Sequence, residues 1–347
     1  MAKKAVLLLN LGSPDSTEVA DVRRYLSQFL MDERVIDVKK WVRWMIVNLF
    51  ILPSRPKESA EAYKSIWLKE GSPLIVTSEK FADLLRAQID VPVYLGMRYG
   101  NPSTEGQVRQ MKKDGIDEVL IFPLYPHYAM SSYESALVCA TEALKSIAPE
   151  MDYEVVNPFY DEEDYIECLI DAARPYLIEE YDHLLFSFHG IPEKHLVKGD
   201  PSHSHCLSKE GCCERPHPAH ATCYRHQCLE TVRRFVNQAN IPASKYSVSF
   251  QSRLGKDPWL QPYTDKTLEA LPGRGVKKLL VICPAFVTDC LETLEEIAME
   301  GKESFIEAGG ERFHQIPCLN LNKKWVDFAA SKVHHFTKKW KRAEALV

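Results

Sequence analysis

Buried β-strands are predicted by six apolar runs in the chain. They are AVLLLNL (5–11), VPVYLGM (91–97), EVLIFPLYP (118–126), DHLLFSFHG (182–190), KYSVSFQS (245–252) and KLLVICPAFV (278–287). Runs this continuously hydrophobic are typical of parallel strands that are covered on both faces. Helix-length amphipathic segments lie between them, such as TEGQVRQMKKDG and CLETVRRFVNQAN. The alternation predicts an α/β fold with doubly wound parallel sheets, in which ligands bind at the carboxyl ends of the strands.

The order of the elements indicates two similar, Rossmann-like halves. We predict an N-terminal half over residues 1–150 and a C-terminal half over 151–320, with the joint near 145–160. The remaining segment, 321–347, is predicted to be a helix that packs back on the N-terminal half. A cleft between two such halves would suit a large ligand.

Composition and charge exclude several classes of function. Of the 347 residues, 45% are hydrophobic and 26% are charged, and the formal net charge is −5. A nucleic-acid partner is not expected, because such proteins usually carry a basic patch. The sequence has neither a G-x-G-x-x-G nor a Walker-type loop, so no nucleotide cofactor is indicated. The apolar run near the N-terminus is too short for a secretory signal, and we expect a cytoplasmic protein.

The segment WVRWMIVNLFILP (41–53) is the closest approach to a membrane span. It is interrupted by Arg43 and Asn48, and it is shorter than the ~20 apolar residues that a span requires. Its periodicity suits a helix buried in the core. The alternative is an amphipathic lip that touches a membrane surface or a large apolar ligand.

Half of the ten cysteines lie in the stretch CLSKEGCCERPHPAHATCYRHQC, with spacing C-x5-C-C-x9-C-x4-C. The surrounding segment, about 199–228, has few aliphatic residues and reads as an insertion without a core of its own. Four thiolates suit either tetrahedral Zn²⁺ or a [2Fe–2S] cluster, and the spacing alone favours zinc. Because the adjacent side chains of Cys212 and Cys213 point in different directions, we expect only one of them to bind metal, together with Cys206, Cys223 and Cys228. Five free thiols in a loop are the remaining alternative.

Two features near predicted strand ends could carry chemistry. His189 ends the run FSFH, although a single histidine is as often a structural residue. On a helix, TDCLETLEEIAME (288–300) would place four acids on one face without an interleaved base, namely Asp289, Glu292, Glu296 and Glu300. Such a stripe could bind a divalent cation or accept protons, but it is also typical of a solvated helix face.

Longer motifs, in the same order along nearly the whole chain, resemble those of the ferrochelatase family. They are LLLNLGSPDS with RRYLSQFLMDERVID, EGSPL (70–74), GMRYGNPSTE (96–105), FPLYPHYAMSS (122–132), FSFHGIP (186–192), FQSRLGKDPWLQPYTD (250–265) and PAFVTDCLETLEEI (284–297). The resemblance implies a lyase that inserts ferrous iron into protoporphyrin IX without ATP, as the last step of heme biosynthesis. Coproporphyrin or another tetrapyrrole is the alternative substrate, and a non-catalytic heme or iron sensor is the alternative class.

The resemblance also implies roles for individual residues. His189 matches the essential histidine and Glu292 its partner carboxylate, and these two would meet the iron that is inserted. Asp289 and Glu296 match an acidic path for protons or metal. The positions that match the macrocycle pocket are Leu11, Arg98, Tyr125, Phe250 and Trp259. Those that match the propionate-binding region are Arg55, Tyr63 and Ser72. At Cys290, many relatives carry a histidine.

Two further expectations follow from the resemblance. Some ferrochelatases carry a [2Fe–2S] cluster, which shifts the prediction for four of the five clustered cysteines from zinc to this cluster. It would be a staple or a sensor and not the place of iron insertion. The region of about 41–75 is expected to form a porphyrin lip, with peripheral membrane contact through 41–53.

Overall fold

The computed structural model describes residues 2–208, 210–255 and 257–344, in two compact units. The first unit is formed by the described residues of 1–124, 130–157 and 325–347. The second is formed by the described residues of 125–129 and 158–324. Each contains one four-stranded parallel sheet, which confirms the predicted α/β fold.

The sheet of the first unit has the order β2-β1-β3-β4. Its strands are β1 (Lys4–Asn10), β2 (Val93–Met97), β3 (Glu118–Pro123) and β4 (Asp152–Val155). Its first six helices are α1 (Val19–Leu30), α2 (Lys40–Met45), α3 (Arg55–Ile66), α4 (Pro73–Arg86), α5 (Thr104–Lys113) and α6 (Ser135–Ile147). Residues Ala5 to Leu9 of β1 are fully buried, as expected for a central strand with helices on both faces.

The sheet of the second unit has the order β6-β5-β7-β8. Its strands are β5 (His183–His189), β6 (Tyr246–Gln251), β7 (Lys278–Ile282) and β8 (Arg312–Gln315). Its helices are α7 (Glu163–Leu177), α8 (Glu193–Gly199), α9 (Tyr224–Gln238), α10 (Thr264–Ala270) and α11 (Lys302–Glu307). Strands β5 and β6 are in parallel register with His189 opposite Gln251, so both residues reach the carboxyl edge of the sheet.

The last described helix, α12 (Lys323–Glu344), contributes to the core of the first unit. Trp325 is 1% exposed and stacks on Phe81 with 5.4 Å between ring centroids. It also meets Phe122 of β3 edge-on. A single large aromatic side chain thereby joins α12 to α4 and to the sheet.

The segment 41–53 is for the most part not a core helix. Helix α2 continues into a π-helix over Ile46–Ile51. Three aromatic side chains are exposed, namely Trp41 (63%), Trp44 (51%) and Phe50 (74%). Leu49 is also exposed, whereas Val47 is fully buried. Among the apolar side chains of this segment, the core interpretation holds for Val47 and Leu52, against which Ile51 packs. Among the described residues, no helix combines the length and the apolarity needed to cross a bilayer.

The acidic segment also departs from the predicted α-helix. Residues Glu292–Gly301 form a π-helix, in which backbone hydrogen bonds join residues five apart and each turn is wider. The angle between successive side chains therefore differs from the ~100° per residue of an α-helix, and so does the relative placement of the carboxylates. Helices of this type are rare and occur frequently at functional sites.

Candidate active site

His189 is held in a single orientation at the end of β5. Its ring is half-buried, and Nδ1 lies 2.6 Å from the carbonyl oxygen of Gly190. A carbonyl oxygen can only accept a hydrogen bond, so Nδ1 carries the hydrogen in the neutral ring. The lone pair then belongs to Nε2. In this tautomer, the imidazole can accept a proton at Nε2.

Gly190 is required by the close approach of β6 and the chain that follows it. A Cβ atom at this position would lie 2.9 Å from the carbonyl oxygens of both Gln251 and Ser252. The Gly190 N–H instead donates to the Gln251 carbonyl at 2.6 Å. The indole of Trp259 lies against the same glycine, 3.3 Å from where the Cβ would be. This packing places one predicted pocket residue beside the backbone turn that orients His189.

The carboxylate of Glu296 is bound by the residue that follows β6. The Ser252 N–H donates to Oε1 at 2.9 Å, and the Ser252 hydroxyl donates to Oε2 at 2.5 Å. Desolvation raises the pKa of Glu296 most strongly, and Glu292 adds to the rise, while Ser252 and His189 oppose it. The electrostatic interaction with His189 and Glu292 puts these three groups in one neighbourhood.

Glu295 extends this group of acids along the π-helix. Burial and repulsion from Glu300, Glu296 and Glu292 raise the pKa of Glu295 to about 7. Its carboxyl group can therefore exchange a proton near neutral pH. The candidate site thus contains an imidazole with one available nitrogen and a series of carboxyl groups, one of which titrates close to neutrality.

Asp289 occupies a different environment from the other acids. It is 8% exposed, and its carboxylate accepts hydrogen bonds from the Thr293 hydroxyl at 2.8 Å and the Asn320 amide at 2.6 Å. Its own N–H donates to the Asn320 side chain at 2.9 Å. Asp289 therefore fixes the segment that leads into the π-helix. Cys290, which follows it, is buried as well.

The second unit holds three predicted pocket residues, which are not equally accessible. Phe250 is 3% exposed and faces Phe188 at 6.3 Å between ring centroids. Tyr125 is 9% exposed. Trp259 is half-buried, and its indole N–H donates to the Leu254 carbonyl at 3.0 Å. Trp259 is therefore the most accessible of the three.

In the first unit, Arg98 is held by a buried polar group at the end of β2. It donates to the Asp32 carboxylate at 2.6 Å and to the Ser135 hydroxyl at 2.7 Å. The Tyr99 hydroxyl donates to the same Asp32 oxygen at 2.8 Å, and Ser135 also donates to it. Burial alone would raise the pKa of Asp32, but these hydrogen bonds and the charge of Arg98 lower it overall. Sequence analysis missed Asp32, although it lies in the quoted motif that ends in MDERVID.

The other predicted binding residues of the first unit are distributed over α3, the start of α4 and the end of β1. Arg55 is exposed and pairs with Glu58 at 3.1 Å. Tyr63 is 7% exposed and Ser72, the residue before α4, is 4% exposed. Leu11 is half-buried, and its carbonyl accepts the Tyr99 N–H at 2.9 Å.

An aromatic series joins α3 to the Arg98 group. Tyr25 meets Tyr63 edge-on at 6.3 Å and Tyr99 edge-on at 6.4 Å between ring centroids. The Arg98 guanidinium lies 4.5 Å from the Tyr99 ring centroid. Tyr25 is thus a packing element that the sequence analysis did not identify.

The cysteine-rich insertion lies between α8 and α9. Cys206, Cys212, Cys223 and Cys228 are buried, and Cys213 is half-buried. The Cys212 and Cys213 sulfur atoms are 4.0 Å apart. The expectation that these neighbours diverge is therefore wrong. Among the described residues, no three His, Cys, Asp or Glu side chains already surround a common point as metal ligands do.

Cys223 interacts with two of the other thiols. A hydrogen bond from Cys213 is the main cause that lowers the pKa of Cys223 to about 6. Cys206 also bonds to Cys223, and burial followed by the Cys223 charge raises the pKa of Cys206 to about 12. Cys228 is fully buried one turn into α9, where its thiol interacts with Tyr224. Interactions between thiols thus connect Cys206, Cys212, Cys213 and Cys223.

Histidines hold the backbone of the cysteine pair. The Cys212 carbonyl oxygen lies 2.7 Å from Nε2 of His205 and 2.9 Å from Nε2 of His220. The Cys213 carbonyl oxygen lies 2.8 Å from Nδ1 of His226. The rings stack in two pairs, His205 with His217 at 3.7 Å and His220 with His226 at 3.6 Å. The sequence analysis assigned these histidines no role, although their density in the insertion was a signal.

Comparison with known proteins places the chain in a family. The family model described as Ferrochelatase matches residues 3–336. The chain belongs to the ferrochelatase family. The ferrochelatase of Opitutus terrae is 52% identical over 336 residues, which cover 96% of this chain and 97% of that protein. That of Stutzerimonas stutzeri is 48% identical over 328 residues, covering 94% and 96%.

A solved chelatase shares the fold of this ferrochelatase. SirB from Bacillus subtilis with Fe3+ superposes with a TM-score of 0.55 at 10% identity, covering 96% of this chain and 94% of SirB. The predicted family is confirmed. The protein is accordingly a metal chelatase of heme biosynthesis, of the lyase class, with ferrous iron and a porphyrin as substrates.

Proposed function

We propose that this ferrochelatase inserts ferrous iron into protoporphyrin IX at His189 and Glu292. The reaction replaces two pyrrole protons by one Fe²⁺ and consumes no nucleotide. The proposal is carried by the fixed tautomer of His189, whose Nδ1 is 2.6 Å from the Gly190 carbonyl oxygen. An imidazole whose Nε2 lone pair is available is a suitable general base for this proton removal.

His189 Nε2 accepts the two pyrrole protons in succession while the iron approaches the exposed ring nitrogens, and the first proton leaves along the acidic path before the second is taken. Glu292 carries the negative charge that stabilises both the cation and the protonated imidazole. Each proton passes to Glu296, which interacts electrostatically with His189 and has a raised pKa because of its burial. Glu295, with a pKa of about 7, can release it near neutrality. Asp289 serves this acidic path as its anchor, because its carboxylate is already bound by Thr293 and Asn320.

Porphyrin binding is proposed for the residues that the family resemblance selects. Trp259, Phe250, Tyr125 and Leu11 supply apolar surface for the macrocycle. Arg98, which Asp32 and Ser135 fix, supplies a positive charge of constant orientation. Arg55, Tyr63 and Ser72 are proposed to meet the propionates. An apolar pocket of fixed shape can hold the ring away from planarity and so expose its nitrogen lone pairs.

The test is anaerobic metallation of protoporphyrin IX by His189→Ala, with His183→Ala as the matched control. His183 lies on the same strand, and its Nε2 is 2.8 Å from the Ser247 hydroxyl. We expect His189→Ala to lose at least 100-fold in kcat and His183→Ala to stay within about 3-fold of the unmodified enzyme. Full activity of His189→Ala would refute the assignment. A higher kcat/KM for coproporphyrin than for protoporphyrin would change the substrate.

We also propose a [2Fe–2S] cluster in the insertion, held by Cys206, Cys212, Cys213 and Cys223. The support is a chain of interacting thiols: the Cys212 and Cys213 sulfur atoms are 4.0 Å apart, and Cys223 interacts with Cys213 and with Cys206. The hydrogen bond from Cys213 lowers the pKa of Cys223 to about 6, which favours the thiolate that a metal requires. When bound, the cluster would supply a staple or redox-sensing group. The test is the visible absorption spectrum with iron and sulfide analysis. One zinc in a colourless protein would instead make this a structural zinc site.

We propose that the protein is cytoplasmic. We also propose that its lip, about residues 41–75, makes peripheral contact with a membrane. The support is the exposure of Trp41, Trp44 and Phe50 on neighbouring turns. Aromatic side chains in such a position partition into the membrane interface. The contact would serve a reaction whose substrate and product are both apolar.

A further inference from the structure

Gln251 lies next to His189 in the sheet and is 2% exposed. Its backbone carbonyl accepts the Gly190 N–H at 2.6 Å. The Gly190 carbonyl in turn accepts from His189 Nδ1 at 2.6 Å. The backbone of Gln251 therefore holds Gly190, the residue whose carbonyl sets the tautomer of His189.

The side chain of Gln251 reaches the π-helix. Its amide Nε2 donates to the backbone carbonyl of Glu292 at 3.0 Å. Its Oε1 accepts from the Ser187 hydroxyl at 2.7 Å and faces the Cys283 thiol at 3.7 Å. The amide nitrogen faces the Glu292 carbonyl, which can only accept a hydrogen bond, and Oε1 faces the Ser187 hydroxyl, which donates. These partners determine which way the Gln251 amide is oriented. The side chain thus connects the core of the sheet to the residue that carries the second proposed catalytic group.

A buried hydroxyl network supports this amide. The Ser187 hydroxyl also lies 2.9 Å from that of Thr264, which is 2.8 Å from that of Ser249. All three residues are at most 2% exposed. Polar groups this far from solvent are costly to leave unpaired, so the network has one favourable arrangement.

The residue after Gln251 binds the next acid of the π-helix. Ser252 has a φ of 57°, in the left-handed region, and its N–H and hydroxyl both bind the Glu296 carboxylate. Two successive residues at the end of β6 therefore contact the backbone of Glu292 and the side chain of Glu296. Hydrogen bonds thus join the end of β6 to the π-helix at Glu292 and at Glu296.

From these contacts we infer that Gln251 is a positioning residue for iron insertion, which sets the distance of Glu292 from His189. The inference rests on the proposed roles of His189 and Glu292. Gln251 touches neither substrate in this account. It acts through the Glu292 carbonyl and through the Gly190 peptide. Misplacement of a reacting group by about 1 Å can cost ~100-fold in rate.

The test compares Gln251→Met with Ser247→Ala. Methionine keeps the length of the glutamine side chain but lacks the amide that donates to Glu292 and accepts from Ser187. The control removes a hydrogen bond of the same strand pair at the other end of the sheet, between Ser247 and His183. We expect Gln251→Met to lower kcat for metallation about 10–100-fold while the porphyrin KM stays within about 2-fold. Ser247→Ala should keep kcat within about 2-fold. An unchanged kcat for Gln251→Met, or equal losses in both variants, would overturn the inference.

A double-mutant cycle with Glu292→Gln separates positioning from general stability. If Gln251 acts through Glu292, the variant with both substitutions should be within about 2-fold of Glu292→Gln alone. If the loss of kcat in the double variant equals the product of the losses in the two single variants, the inference is contradicted. Full activity of Glu292→Gln would refute the proposed function itself. Loss of activity in Glu292→Gln but not in Gln251→Met would refute only the role of Gln251.

Discussion

The His189 imidazole donates from Nδ1 to the carbonyl oxygen of Gly190, its neighbour in the chain, at 2.6 Å. The acceptor belongs to a turn that is itself bound by Gln251 of the adjacent strand. The orientation of the proposed base therefore depends on backbone geometry and not on a charged partner at Nδ1.

Glu295 is expected to make stability depend on pH. Its pKa is raised to about 7 in the folded protein from an ordinary value of 4.5, so its contribution to stability is lost as the pH rises between these values. Glu295→Gln should therefore raise the Tm at pH 8 by roughly 1–3 °C and leave it unchanged at pH 4. Thermal unfolding at both pH values measures this. An equal shift at the two pH values would contradict the assignment.

Asp32 should be needed for both stability and porphyrin binding, because it holds Arg98 by an ion pair of 2.6 Å whose acidic side chain is 3% exposed. Asp32→Asn should lower the free energy of unfolding by about 2–4 kcal/mol, since it leaves Arg98 without its counter-charge. The porphyrin KM should rise as well. Denaturant unfolding and steady-state kinetics provide the two values.

Asp21→Asn is the control for Asp32, because the Asp21–Arg24 pair at 2.7 Å is more accessible to solvent, with side-chain exposures of 26% and 54%. Its unfolding free energy should change much less than that of Asp32→Asn. Equal destabilisation by Asp21→Asn and Asp32→Asn would contradict the importance of burial.

Removing the exposed aromatic residues of the lip should abolish membrane contact. We expect a variant with Trp41→Ser, Trp44→Ser and Phe50→Ser to sediment at least 10-fold less with anionic liposomes than the unmodified protein. Ile178→Ser is the matched control, because Ile178 is 82% exposed and lies elsewhere. If the unmodified protein stays in the supernatant, or if the control loses binding equally, the lip is not a membrane contact.

Single Cys→Ser substitutions should identify the ligands in the insertion. Replacement of Cys206, Cys213 or Cys223 should remove most iron and sulfide, since only three of the four proposed ligands remain. Cys228→Ser should retain them, because this thiol is fully buried in α9 and interacts with Tyr224. Loss of the cluster in Cys228→Ser together with its retention in Cys213→Ser would exclude the proposed set.

The central strands could be predicted from sequence because their burial on both faces leaves continuous apolar runs. Strands β4 and β8 were missed, since DYEV and RFHQ are four-residue edge strands without such a run. The π-helix could not be predicted either. The segment that leads into it is fixed by Asp289 and Asn320, which are 31 residues apart, and local periodicity does not report such contacts.

The chemistry of the site was only partly readable from the sequence. His189 and Glu292 could be named because they lie in recognisable motifs at a strand end and a helix start. Gln251 and Asp32 stand in equally recognisable motifs, but their importance comes from partners 41 and 66 residues away. Pairing over such separations is a property of the folded chain.

Chemical rescue shows whether His189 Nε2 removes a pyrrole proton. The measurement is the single-turnover rate of protoporphyrin metallation by His189→Ala under anaerobic conditions, with and without added imidazole. Added imidazole should raise the rate of His189→Ala at least 10-fold, and the rescued rate should rise with the fraction of imidazole in its free-base form. A slow variant that imidazole does not accelerate, or a variant that needs no rescue, would contradict the account.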